Sequence, residues 1–327
     1  MQPEAIHLSR RDALIKLLRV AGASAGAAGL GLWLNQRSWR PEPTLAMAAK
    51  HGHTVAADPR FPEMAVITGD DPAQLARQAI EELGGIRRFI ARGDVVLVKP
   101  NIGWDRTPEQ AANTNPDVVG EIIRQCLNAG ATRVVVTDVS CNDPRRCFQR
   151  SGIAEAAQHA GAEVLLPDPA RFKEVDLQGE VLRAWPVLDL FLNVDKVINI
   201  PIAKHHSLTG TTLGMKNWYG MLGGPRHQLH QRIHESLVDL ADFVRPTLTV
   251  IDCYRILVRN GPTGGNLQDV LLKKTLVAGT DPVALDAYVA KAYWNLEASS
   301  LPYLKMAANR GLGTYEFEKV RTRIKTL

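Results

Sequence analysis

No Cys-x-x-Cys pair occurs in the 327 residues, so a zinc ribbon or a self-contained iron–sulfur cluster would lack its ligands. There is no Gly-x-x-x-x-Gly-Lys-Ser/Thr signature, which removes the phosphate loop of nucleotide hydrolases, and no His-Glu-x-x-His of a zinc peptidase. Internal repeats and low-complexity segments are missing too, which argues against a solenoid and against a disordered chain. Charge of one sign is scarce: the net charge is +5, and residues 1–48 hold six Lys/Arg against three Asp/Glu. That leaves 33 against 31, a balance of +2, over the other 279 residues. No basic footprint for nucleic acid exists. What remains, 45% apolar and 22% charged residues, is the composition of a globular protein with a sizeable core.

The basic excess sits in a leader, "SRRDALIKLLRVAGASAGAAGLGLWL". Arg10 and Arg11 precede an apolar run from Val20 to Leu34, whose 15 residues fall short of the roughly 18–20 that a bilayer span needs. A charged start and a short, weakly apolar core make a secretory pattern. It resembles a twin-arginine signal, with Ala13 in the place usually held by Phe and Lys16 one place late. Ala46-Met47-Ala48 offers a small-x-small cleavage site; uncleaved, the same segment would be an inner-membrane anchor. The expectation is residues 1–48 as signal, 49–62 as linker and 63–327 as the mature domain, delivered to the periplasm by the twin-arginine machinery. In that oxidising compartment Cys141 and Cys147 are positioned to pair across "CNDPRRC", while Cys126 and Cys253 fall in apolar patterns and read as core.

Strand-like and helical patterns alternate through the mature chain. "MAVITG", "DVVLVKPN", "RVVVTD", "EVLLPD", "DKVINIPI", "TLTVIDCYRIL" and "KTLVAG" read as strands. Between them lie helices such as "DPAQLARQAIEELGG", with Leu75, Ala79 and Leu83 on one face, and "TDPVALDAYVAKAYW", with Asp281 as N-cap and Pro282 at its first position. Such alternation predicts one α/β domain: a mostly parallel central sheet flanked by helices, with room for two lobes about a cleft. In these sheets ligands gather outside the carboxyl ends of the strands. Those ends carry Lys99 and Asn101, Asp138, Lys204-His205-His206 and Asp252.

Lys99, Asn101, Asp138, Lys204 and Asp252 are therefore candidate substrate-binding residues, a lysine there being suited to a carboxylate or phosphate. "KHHSLTGTTLGMKNW" adds His205, His206 and Lys216 as candidates for proton transfer. Adjacent histidines on an extended segment point to opposite faces, so one of the two is expected to enter the cleft. His227, His230 and His234 follow at i, i+3, i+7, within about 60° of one another on an α-helix, and are the candidate ligands of a divalent metal. The plainer reading of those three is a polar helix flank.

These motifs in this order resemble the domain of unknown function 362 family, carried by "ELGGIRRFIARGDVVLVKPNIGW", "ANTNPDVVGEII", "AGATRVVVTD", "DKVINIPIAKHHSLTGTTLGMKNWYGMLGG", "VIDCYRILVRNGPTGG" and "AGTDPVALDAYVAK". The resemblance covers about residues 63–295 and implies an α/β domain without a settled reaction. Some relatives append an iron–sulfur domain whose cysteines this chain lacks. A looser similarity to nickel-pincer lactate racemases, without a residue-by-residue match, hints at acid/base chemistry on a small carboxylate. The expected function is an exported enzyme acting on a small anionic ligand, with metal assistance as an option. The alternatives are a non-catalytic periplasmic binding or metal-delivery protein, and an accessory subunit of an exported redox complex. Oligomeric state is not legible.

Overall fold

The computed structural model describes residues 52–327. The signal and cleavage site read in residues 1–48 lie outside the described residues. Twelve strands follow in chain order: β1 (Met64–Thr68), β2 (Val95–Pro100), β3 (Arg133–Val136), β4 (Glu163–Val164), β5 (Phe172–Asp176), β6 (Ala184–Leu188), β7 (Lys196–Ile200), β8 (Ile202–His206), β9 (Gly210–Thr212), β10 (Leu248–Leu257), β11 (Val270–Gly279) and β12 (Thr322–Thr326). Ten of them form one sheet in the order β12-β1-β11-β10-β7-β2-β3-β4, with β8 paired to β10 and β9 to β8. Strands β10, β7, β2, β3 and β4 run parallel, as the apolar runs predict. Strand β11 lies antiparallel to both β1 and β10, a direction that an apolar pattern does not encode.

The helices are α1 (Pro72–Glu82), α2 (Pro116–Ala129), α3 (Pro144–Arg150), α4 (Ile153–His159), α5 (Ile233–Val244), α6 (Pro282–Trp294) and α7 (Pro302–Asn309). Their starts are written locally. Asp71, Asn115 and Asp281 each accept from backbone N–H groups of the first turn, with proline at the first helical position.

Alternate residues of each strand face opposite ways, and the core divides accordingly. Val96, Val98, Val134 and Val136 pack with Leu75, Ile122 and Ile153 of α1, α2 and α4. Leu97, Val135 and Val197 pack with Leu237, Val283 and Leu304 of α5, α6 and α7. The two apolar clusters are thus the two faces of one sheet. The described residues build a layered domain around this one ten-stranded sheet, mostly parallel at its centre and flanked by helices. Among them no helix is long and apolar enough to cross a membrane.

Two features position the site. Strand β7 ends at Pro201, which has no N–H to give to a ladder; the chain resumes as β8, which leaves β2 and pairs with β10 and β9. Strands β5 and β6 form a separate antiparallel hairpin. Its turn is held by the buried Asp239 of α5, whose carboxylate accepts from the backbone N–H groups of Glu180, Val181 and Leu182 at 2.8–3.0 Å.

Candidate active site

Strand order reverses between β7 and β2, and that is where α/β sheets open a crevice at their carboxyl edge. A cavity of about 660 Å³ occupies it. Its floor draws Asn101 from the end of β2, Asp138 from the end of β3, Lys204 and His206 from β8, and Thr212 from β9. Lys216, Asn217, Tyr219 and Gly220 come from the tight helical turn 216–221; Arg226, His227 and His230 come from the 3₁₀ segment 226–232.

A polar network underlies the floor. The fully buried Lys99 places Nζ 2.7 Å from Asp138 Oδ1, and donates to Asn217 Oδ1 at 2.9 Å and to the Pro100 carbonyl at 3.0 Å. Asn217 Oδ1 also accepts from Asn101 Nδ2 at 2.9 Å, and Asn217 Nδ2 donates to Asn199 Oδ1 at 2.8 Å. Lys204 donates to Asn101 Oδ1 at 2.9 Å and to the Ala112 carbonyl at 2.6 Å. Gly220 has to be glycine: a Cβ there would stand 1.8 Å from Asp138 Oδ1 and 2.5 Å from Lys99 Nζ. Behind the turn, the buried Asp286 of α6 accepts from Gly214 N at 2.8 Å and Met215 N at 3.1 Å, which sets the approach to Lys216.

Cations outnumber carboxylates here. Lys99, Lys204, Lys216 and Arg226 converge, and Asp138 is the sole carboxylate among the described residues that line the cavity. Arg226 spends its donors on the carbonyls of Val139, Ser140 and Tyr219 at 2.7–2.9 Å and on Cys141 Sγ at 3.6 Å. The Lys216 ammonium lies 4.7 Å over the Tyr219 ring and makes no hydrogen bond or ion pair among the described residues. Desolvation brings Lys204 down to about 7 and Lys216 to about 8, although Lys216 keeps some contact with solvent. Burial likewise pulls Lys99 below the usual lysine value, with Asp138 opposing it. His206 is driven to about 3, by burial first and then by Lys216. It stays a neutral imidazole, and because its Nδ1 accepts from Leu208 N at 3.2 Å, the ring proton sits on Nε2.

Most of the residues expected at strand ends do converge: Lys99, Asn101, Asp138, Lys204, His206 and Lys216 share this site. His205 does not line the cavity, as the alternation of an extended strand requires. Asp252 is also absent. Strand β10 runs on to Leu257, so Asp252 is an internal strand residue, and its buried carboxylate accepts from Asn115 N at 2.8 Å and Tyr254 N at 2.9 Å. Burial lifts it to about 6.

The helix expected to carry three histidines is two elements. Residues 226–232 wind as a 3₁₀ helix, in which i and i+3 eclipse, so His227 and His230 both reach the cavity. His230 stacks on His206 with ring centroids 6.1 Å apart. His234 lies beyond the change of pitch and stacks on Tyr303 at 6.3 Å. Among the described residues no group of three His, Cys, Asp or Glu is placed to hold a metal ion, and His234 stands apart from the His206–His230 pair. The expected Cys141–Cys147 bridge is not formed either: α3 carries Cys147 into the core, while Cys141 is exposed at the cavity.

Asn217, Gly220, Arg226, Thr212 and Tyr219 were not singled out as site residues by sequence reasoning. They sit on short turns without periodicity; their one signal was proximity to Lys216 in a stretch dense in reactive types.

A family model, "Domain of unknown function (DUF362)", matches residues 96–291. The thylakoid-associated protein sll1697 of Synechocystis sp. is 28% identical over 252 residues, covering 72% of this chain and 74% of that protein. Among solved structures, the lactate racemase apoprotein of Thermoanaerobacterium thermosaccharolyticum aligns with a TM-score of 0.40 and 10% identity, over 69% of this chain and 56% of that one.

Proposed function

The chain belongs to the DUF362 family, and for this member we propose an enzyme that binds a small anionic substrate on the lysine floor and moves a proton at it. The observation that carries the reading is geometric: Lys204, Lys216 and Arg226 line one cavity whose sole carboxylate, among the described residues, is Asp138. Burial brings the Lys204 amine down to about 7, near which proton exchange is most efficient. Two of its hydrogens are committed, to Asn101 and Ala112, so the charged form that a bound anion favours has one hydrogen left to give to the ligand. Lys216 and Arg226 supply charge for the anionic group. His206, neutral with its proton on Nε2, serves as a hydrogen-bond donor to developing negative charge and not as the base.

Anion binding must then take up protons. A bound anion raises both lysines, and from values of about 7 and about 8 a pH of 7.5 leaves room for about one proton per site. Calorimetric titration of carboxylate and phosphate probes, repeated in buffers of different ionisation enthalpy, measures that uptake. Proton-neutral binding would remove Lys204 and Lys216 from the site. Uptake without exchange of solvent deuterium into any bound acid would turn the reading to a binding protein.

Export by the twin-arginine machinery is part of the same proposal, supported by Arg10-Arg11 before a short apolar run. The R10K/R11K double variant is expected to remain in the cytoplasm, as fractionation followed by immunoblot would show. Undiminished periplasmic delivery would sink the proposed route.

A further inference from the structure

The polar floor accounts for only part of the cavity. Its volume of about 660 Å³ belongs to the class that encloses a drug-sized ligand, far more than a two- or three-carbon acid fills. The remaining wall is apolar and stands nearer to solvent: Trp104, Pro167, Phe172 and Pro262 are half-buried, Pro169 is exposed, and Leu222 closes the inner side. The wall is built and not left over. Phe172 comes from β5 of the separate hairpin, and a Cβ on Gly223 would stand 2.7 Å from its ring, so that glycine lets the aromatic ring seat against the backbone. Trp185 of β6 donates to the Gly223 carbonyl at 3.0 Å and fixes the same junction. On the floor, Thr212 Oγ1 is buried without a hydrogen-bond partner among the described residues, and its residue lines the cavity. An orphaned hydroxyl of this kind awaits a polar group from a ligand.

From this division we infer that the substrate is amphiphilic: one acidic head group, carboxylate or phosphate, joined to an apolar body that lies along the Trp104–Phe172 wall. The inference rests on the anion reading of the floor and adds the body. The head meets Lys204, Lys216 and the Thr212 hydroxyl. The body replaces water along a mostly apolar wall, and specificity among acids then depends on that surface.

The test is a homologous series. Acetate, butyrate, hexanoate and octanoate, with the matching alkyl phosphates, are titrated into the full chain below their micelle-forming concentrations. Affinity is expected to rise about fourfold per added methylene until the wall is covered. Phe172→Ala and Trp104→Ala should each flatten that rise while leaving the shortest acid unchanged. Lys204→Met should weaken every member by a similar factor and leave the rise intact. Whether the carboxylate or the phosphate series binds more tightly identifies the head. Equal affinity along the series would overturn the apolar body and leave the anion reading standing. Binding by hexanol with the same affinity as hexanoate would overturn the acidic head. Failure of every member to bind would overturn both.

Discussion

Lys99→Met is expected to cost the fold about 3–5 kcal/mol, the penalty for stranding one partner of a buried ion pair. Asp138 is 2% exposed, and its Oδ1 would face the space left by the ammonium; only Oδ2, which accepts from Ile102 N at 2.5 Å, would keep its hydrogen bond. Asn217 would keep Asn101 as a donor but lose the charged one. For a domain of this size the loss corresponds to a fall in Tm of roughly 10 °C. Adding Asp138→Asn should restore much of it, because an amide needs no countercharge in a dry site. Denaturant titrations of the two variants separate the effects. A single-variant cost below about 1 kcal/mol, the level of an exposed pair, would mean that the ion pair is not a structural element.

Lys204→Met should act in the opposite sense on stability and far more strongly on ligands. Among the described residues Lys204 has no carboxylate partner within hydrogen-bond reach, and desolvation is the first cause of its lowered value. The unfolded chain binds the proton near the ordinary lysine value of 10.5, whereas the folded chain releases it near 7. Between those values the unfolded state holds more protons, and stability therefore rises with pH. From pH 6.5 to 9 this one residue contributes a gain on the order of 2–3 kcal/mol in the ligand-free protein. The methionine variant should lack that gain, so wild type and variant diverge as pH rises. Anion affinity should meanwhile drop about 10- to 100-fold, the worth of a hydrogen bond to a charged group. Parallel stability curves for the two proteins, or unaltered anion affinity, would show that Lys204 is a spectator.

These positions were open to sequence reading to different degrees, for physical reasons. Lys99 and Lys204 follow apolar runs that are buried on both faces, and parallel strands bring their carboxyl ends to one edge, so convergence follows from topology. Asp252 looked equivalent, but an apolar run does not announce where its strand stops, and β10 continues for five residues beyond it. The histidines at 227, 230 and 234 were read at 100° per residue; the change of winding at Ile233 separates the last of them. Strand β4 shrinks from the expected "EVLLPD" to two residues, since a strand at the end of a sheet has a partner on one side alone. Asn217 and Arg226 had no periodic pattern to betray them. Their importance lies in what they touch, and contacts 86 to 118 residues away in sequence leave no local trace.

The amide network beneath the cavity also has a direction. Lys204 donates to Asn101, Asn101 to Asn217, Asn217 to Asn199, and Asn199 Nδ2 to the Gly214 carbonyl at 3.0 Å. Every link donates onward from the Lys204 end, so the dipoles add along the row and each bond polarises the next. The row begins at an amine that keeps donating whether it is charged or neutral. A proton arriving at Lys204 or leaving it therefore finds the same partners in the same orientation, and no amide has to turn over. Proton transfer in enzymes is slowed chiefly by dipoles that must swing round as charge moves. Here the four links already point one way, so under the proposed proton transfer at Lys204 none of them has to reverse.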